Sequence, residues 1–261
     1  MMTSQTTNRF RTTIIPPFLV MFGVLALWEL GVLLFNPPPF ILPAPSSILA
    51  AFFANLGELF LYGFNTFREA FFGFLIGCSA GIIGAMIVAR SETLSAVLLP
   101  FAVASNSIPI VAMAPLTIVW FGIDEGSKIA IVAIMCFFPT LVSTVRGLRA
   151  ASPDALALMH SYAASDWQIF AKLRMPTALP FVFNAFRVCA TLSMIGAIVA
   201  EFFGGSVKFL GVYIKTEANI LRTTNAWAAI LVACIYGLAF YLAIVAVERW
   251  VMPWYKDSSE E

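Results

Sequence analysis

Residues 153–176 read PDALALMHSYAASDWQIFAKLRMP, the longest stretch of mixed polarity in a chain otherwise dominated by apolar runs. Ser152 or Asp154 is placed to cap one short helix and Ser165 a second, since such side chains accept from first-turn N–H groups that lack a partner. Apolar residues at Leu156, Met159 and Ala163, and again at Trp167, Phe170 and Leu173, recur at helical spacing. Pro176 opens the apolar run that follows. The segment therefore predicts two short amphipathic helices between two membrane spans, with one face left for a soluble partner.

Working outward, 61% of the 261 residues are hydrophobic and 11% charged, and the mean hydropathy is +0.91. Globular domains run at about 45–50% apolar and about 25% charged, so the excess belongs against lipid. Fifteen Lys and Arg against 14 Asp and Glu leave no basic stripe for a nucleic acid. Cys78, Cys136, Cys189 and Cys234 lie far apart in apolar runs and read as small buried hydrophobes. The single histidine, His160, leaves too few ligands for a zinc centre or a histidine-based triad. No metal site, cofactor or catalytic residue is expected in this chain. A GxxxxGK[ST] nucleotide loop is absent from the sequence, so ATP is not expected to bind here in that manner.

Uncharged stretches of about 20 residues are the length that crosses a membrane. Apart from Glu29, Arg68, Glu69 and Arg187, such stretches fall at 13–35, 65–89, 93–123, 129–145, 177–200 and 225–247. The first follows Arg9 and Arg11, and it is too long for an ordinary signal peptide and lacks a small-residue cleavage site. Between it and the second, Ser46 or Ser47 is expected to cap a short interfacial helix from Ile48 to Phe60. In the second, Gly73, Gly77, Gly81 and Gly84 form a stripe that lets helices approach closely. The third holds Pro100, Pro109 and Pro115 and is read as kinked or broken, with Ser105, Asn106 and Ser107 offering polar groups at membrane depth. Arg187 lies eleven residues past Pro176, about 16 Å along a helix, and a charge at that depth calls for a partner or water. Glu201 ends the fifth span, at a place that suits an outer gate and equally a plain interfacial charge. With the N-terminus inside, nine basic residues face inward and five outward, which predicts both termini in the cytoplasm. The organisation expected is a tail over 1–12, a six-span domain over 13–252 containing the loop 151–175, and a tail over 253–261.

The loop is also where a family resemblance becomes specific. Ala164-Ser165-x-Trp167-Gln168-x-Phe170-x-Lys172-x-Arg174-x-Pro176-x-Ala178-Leu179-Pro180 resembles the cytoplasmic "EAA" loop of ATP-binding cassette importer permeases. The flanks Leu42-Pro43-x-Pro45, Ile108-Pro109, Ala114-Pro115-Leu116, Trp120-Phe121-Gly122 and Ser127-Lys128 resemble the nitrate/sulfonate/taurine branch. So do Phe137-Phe138-Pro139, Ala200-Glu201, Leu210-Gly211 and Glu248-Arg249. The similarity runs from Leu42 to Arg249. It departs from the family loop at Ala157, Leu158 and Met159, where Glu-Ala-Ala is usual, and at Ala163, where Gly is usual. An alanine there is expected to continue the helix rather than take a positive φ.

The resemblance implies an all-α integral membrane fold, six transmembrane helices with a cytoplasmic coupling-helix loop, of the type I importer kind. It implies a homodimeric pathway in the bilayer, two cytoplasmic ATPase subunits that hold ATP and Mg, and an extracytoplasmic solute-binding protein. Asp154, Met159, His160, Ala163, Ser165, Trp167 and Phe170 become the expected ATPase interface, with Trp167 and Phe170 on or beneath its buried face. Ser105, Asn106, Ser107, Arg187 and Glu201 become candidates for the translocation pathway. Nitrate, bicarbonate, sulfonates, aromatic acids and vitamin-precursor heterocycles are all within the resemblance, and few cations at membrane depth favour a weakly charged solute. An ion-coupled carrier or channel would instead need coupled acids at mid-membrane and no docking helices. An intramembrane serine protease would need a histidine within the membrane.

Overall fold

In hydrocarbon, a backbone satisfies its own N–H and C=O groups as a helix or a closed barrel, and this chain takes the helical route. The computed structural model describes residues 3–105 and 109–254, and no strand occurs among them. The helices are α1 (Thr3–Phe35), α2 (Pro45–Ala54), α3 (Leu56–Val88), α4 (Glu92–Ser105), α5 (Ile110–Phe121) and α6 (Glu125–Leu148). They continue with α7 (Pro153–Ser161), α8 (Asp166–Ile169), α9 (Met175–Glu201), α10 (Leu210–Asn219) and α11 (Thr223–Val251). A π turn, Phe170–Arg174, joins α8 to α9. Among the described residues five apolar stretches are long enough to cross a membrane: Phe18–Phe35 of α1, α3, α6, the continuous Asp166–Glu201 and α11. Helices α4 and α5, of 14 and 12 residues, make up the third expected span, broken where the prolines predicted a break. Asn106 and Ser107 lie outside the described residues.

The structure corrects several boundaries. Helix α1 begins at Thr3, inside the expected tail, and ends at Asn36, whose φ of 43° is a left-handed turn that Asn tolerates better than most residues. Neither Ser46 nor Ser47 caps α2. Ala44 is the N-cap with Pro45 in the first turn, where a missing N–H costs nothing. Ser46 instead donates its N–H and hydroxyl to Glu29, at 3.0 and 2.7 Å. That explains a carboxylate in the first span: it holds the start of α2.

The chain forms two compact units, one comprising residues up to Leu59 with Ile214–Leu231, the other Phe60–Tyr213 with the residues from Val232 on. In the first, Trp28 meets Trp227 edge to face at 5.3 Å, and Thr223 donates to the Pro39 carbonyl at 2.8 Å. The second holds the main core, where Ala70, Phe74 and Cys78 of α3 pack with Val132 and Cys136 of α6. Cys189, Ala190, Met194 and Ala197 of α9 and Phe240 of α11 complete that cluster.

The glycine stripe of α3 lies along α6. A Cβ on Gly77 would overlap the Ala133 carbonyl oxygen and stand 2.9 Å from Ala133 Cα, and one on Gly81 would stand 2.8 Å from the Phe137 oxygen. At Gly84 the nearest atom is a side-chain methyl of Leu141 at 3.2 Å. Gly77→Ala should therefore push two backbones apart and cost about 1–3 kcal/mol, while Gly84→Ala should stay within about 1 kcal/mol. Thermal unfolding of the two variants in detergent checks the order, and equal midpoints would refute this packing.

Candidate functional site: the loop between α6 and α9

Ser152 caps α7 by accepting from the Ala155 N–H at 3.2 Å. Ser165 caps α8 through a reciprocal pair, its hydroxyl oxygen accepting from the Gln168 N–H at 3.4 Å and Gln168 Oε1 from the Ser165 N–H at 2.9 Å. Both caps agree with the sequence reading. Ala163 does not: its φ is 51°, so α7 stops at Ser161 rather than running on. The Ala163 N–H bonds to the His160 carbonyl at 2.9 Å and the Ala164 N–H to that of Met159 at 3.1 Å. This is the Schellman closure of a helix C-terminus, which usually uses glycine. The two bonds satisfy carbonyls that would otherwise be orphaned, and they outweigh the steric cost of an alanine in the left-handed region.

The turn sets the faces of the hairpin. Leu156 and Met159 are half-buried and Ile169 is buried, whereas Asp154, His160, Ala163 and Ser165 are exposed. Trp167 is 72% exposed and stacks on half-buried Phe170, with ring centroids 5.6 Å apart and planes inclined by 28°. Trp167 is thus on an outer face of this chain and not beneath it. Leu158 and Tyr162 are 56% and 77% exposed, and neither was singled out from the sequence. The signal was present, because residues four apart share a helix face, and Leu158 with Tyr162 gives α7 a second apolar stripe.

The structure also locates the other expected site residues. Ser105 donates to the Phe101 carbonyl one turn back at 2.8 Å. Arg187 donates from Nε to Glu248 Oε2 of α11 at 2.6 Å, with side chains 24% and 7% exposed. Glu201 is 1% exposed and accepts from the Gly211 N–H at 2.5 Å, while the neighbouring Leu210 N–H bonds to Thr66 at 3.0 Å. Buried Glu69 lies against Glu201, with Lys128 near both. Lys128 donates to the backbone carbonyls of Ile123 and Asp124. Arg187 and Glu201 therefore join separate helical segments to one another in this conformation. Sequence reasoning missed Glu69 and Lys128 as partners because they come from separate helices.

The chain thus combines membrane-length apolar helices with a loop of two short helices that exposes large apolar side chains. Residues 73–257 match the family of binding-protein-dependent transport system inner membrane components, and the chain belongs to that family. It is 32% identical over 232 residues to a probable ABC transporter permease protein of Haemophilus influenzae, covering 88% of this chain and 94% of that one. It is 31% identical over 233 residues to the riboflavin transport system permease protein RibX of Chloroflexus aurantiacus, covering 88% and 87%. Among solved structures, a chain of an amino acid ABC transporter with histidines superposes with a TM-score of 0.60 over 76% of this chain and 96% of that one, at 17% identity. That likeness is one of fold. The chain is a permease subunit of an ATP-binding cassette importer, a membrane transport component rather than an enzyme.

Proposed function

We propose that the hairpin Pro153–Met175 is the coupling element, seated in a groove of a cytoplasmic ATPase subunit that binds ATP and Mg. Two copies of this chain enclose the pathway, two ATPase subunits lie beneath, and a binding protein delivers a small solute on the opposite side. Both termini then lie in the cytoplasm, as the distribution of basic residues predicts. Residues 105–107, at the break between α4 and α5, are the proposed polar lining of the pathway. The pairs made by Arg187 and Glu201 brace the helices around it.

The observation that carries this reading is that Leu158, Tyr162 and Trp167 each stand exposed on the short loop between two membrane-length helices, with Trp167 stacked on Phe170. Large apolar groups exposed on such a loop mark an interaction site, and buried aromatics are frequent anchors. The usual acidic residue of the loop is absent, so apolar contact supplies most of the attraction and salt should weaken the complex only slightly. Trp167→Ala should cost about 2 kcal/mol, roughly thirtyfold in affinity for the ATPase. Co-purification with the ATPase across a salt series measures it. Undiminished complex with both Trp167→Ala and Tyr162→Ala would refute the assignment.

A further inference from the structure

Three cysteines scattered along the sequence converge inside the helix bundle. Cys78 of α3, Cys136 of α6 and Cys189 of α9 bring their sulfur atoms all within 4.8 Å of one another. They are 3%, 0% and 0% exposed. The Cys136 thiol donates to the Cys189 carbonyl at 3.7 Å and the Cys189 thiol to the Cys136 carbonyl at 3.6 Å. Backbone groups of two helices thus hold both sulfurs in place. The Thr140 hydroxyl stands 3.3 Å from Cys78 Sγ and 3.5 Å from Cys189 Sγ. Cys234, the fourth, is exposed and takes no part, contrary to the sequence expectation that it too is buried.

We propose that Cys78, Cys136 and Cys189 form a three-coordinate site for a soft monovalent cation, Cu(I), for which Ag(I) serves as a redox-inert probe. Metal–sulfur bonds of about 2.3 Å place three sulfurs around one ion about 4 Å apart, so the observed spacing closes by less than an ångström. Sulfur donors select soft ions. The other lone pairs at the cluster, the Thr140 hydroxyl and the Cys136 and Cys189 carbonyls, are neutral oxygens, poor substitutes for the Cys, His or carboxylate ligand that completes the tetrahedron Zn(II) prefers. Charge makes the same choice. A buried net charge in a membrane bundle is costly, and a monovalent ion enters without one. One thiol releases its proton to water and forms a metal–sulfur bond, while the other two coordinate through lone pairs as neutral thiols. Nothing is oxidised or reduced. The bound ion would tie α3, α6 and α9 together at their centre, making the permease responsive to thiophilic metal.

The test uses the full chain with its ATPase in detergent, kept anaerobic, in a Cys234→Ser background so that the exposed thiol does not bind ions itself. Titration with Ag(I), and with Cu(I) against a chromophoric chelator, should show one ion per chain. A thiolate-to-metal ultraviolet band, one proton released per ion and a higher unfolding temperature should accompany binding. Cys78→Ser, Cys136→Ser and Cys189→Ser should each weaken binding by at least about tenfold, and Zn(II) should not displace the ion. Binding that survives each of these substitutions unchanged would overturn the proposal, as would displacement by Zn(II). If the serine variants do not assemble, the background protein still decides: absence of the band and of the thermal shift overturns the site, and their presence at one equivalent supports it.

Discussion

Arg187→Met should lower the stability of the purified chain by about 3–5 kcal/mol, because it leaves Glu248 buried without its countercharge. The pair joins α9 to α11 at 2.6 Å, and the Glu248 side chain is 7% exposed. Removing both charges is a different matter. Arg187→Met with Glu248→Leu replaces an ion pair by apolar contact, and such exchanges are often neutral or stabilising. Chemical unfolding in mixed micelles should show a large loss in the single variant and recovery in the double. ATP-driven uptake by the same proteins separates two roles for Arg187. A stable double variant that transports normally leaves bracing as its function, and a stable double variant that does not transport places the guanidinium on the solute's path. A single variant that unfolds like the parent would refute the bracing role.

Ala163→Pro should abolish ATP-driven uptake while the membrane domain still folds. The position needs a φ near the observed 51°, which proline's ring, fixed near −65°, excludes. Proline also removes the N–H that bonds to the His160 carbonyl at 2.9 Å. Ala163→Gly should act in the other direction, relieving about 1 kcal/mol of left-handed strain and slowing amide exchange in α7. Co-purification with the ATPase and hydrogen exchange over Pro153–Ser161 are the measurements. Normal uptake in the proline variant would disprove coupling through this turn. Lower protection in the glycine variant would show that the alanine is not strained.

What could be read ahead of the structure was whatever depends on residues near each other in sequence. The glycines of α3, the caps at Ser152 and Ser165 and the break at Pro109 are each decided by a few neighbouring positions, and each stands where expected. The left-handed Ala163 is also local, but two competing local rules met there. Alanine's helix preference lost to the need to satisfy the Met159 and His160 carbonyls. The π turn at Phe170–Arg174 has no signature of its own in the sequence, where Pro176 marks the start of the apolar run and the helix in fact runs through it. The thiol cluster, the Arg187–Glu248 pair and the Glu69–Glu201–Lys128 group join residues on different helices. Their partners follow from the packing of α3, α6, α9 and α11, which a single sequence does not display. The exposed pair Leu158 and Tyr162 is four residues apart and so legible in the sequence, but its exposure depends on α7 ending at Ser161.

The π turn makes α8 and α9 one rod. Residues Asp166–Glu201 run as 36 continuous helical residues, about 54 Å at 1.5 Å per residue. Trp167 sits at one end and the Glu201 carboxylate, gripping the Gly211 N–H, at the other. A stiff lever of that length magnifies rotation: tilting it by about 5° about one end displaces the other by roughly 5 Å, nearly a full helical turn. A small swing imposed on the tryptophan can therefore strain the grip on Gly211 directly, without a relay of intervening side chains. Under the coupling proposed above, opening on the far side of the membrane would be a matter of angle, set by how far the partner turns its end of the rod.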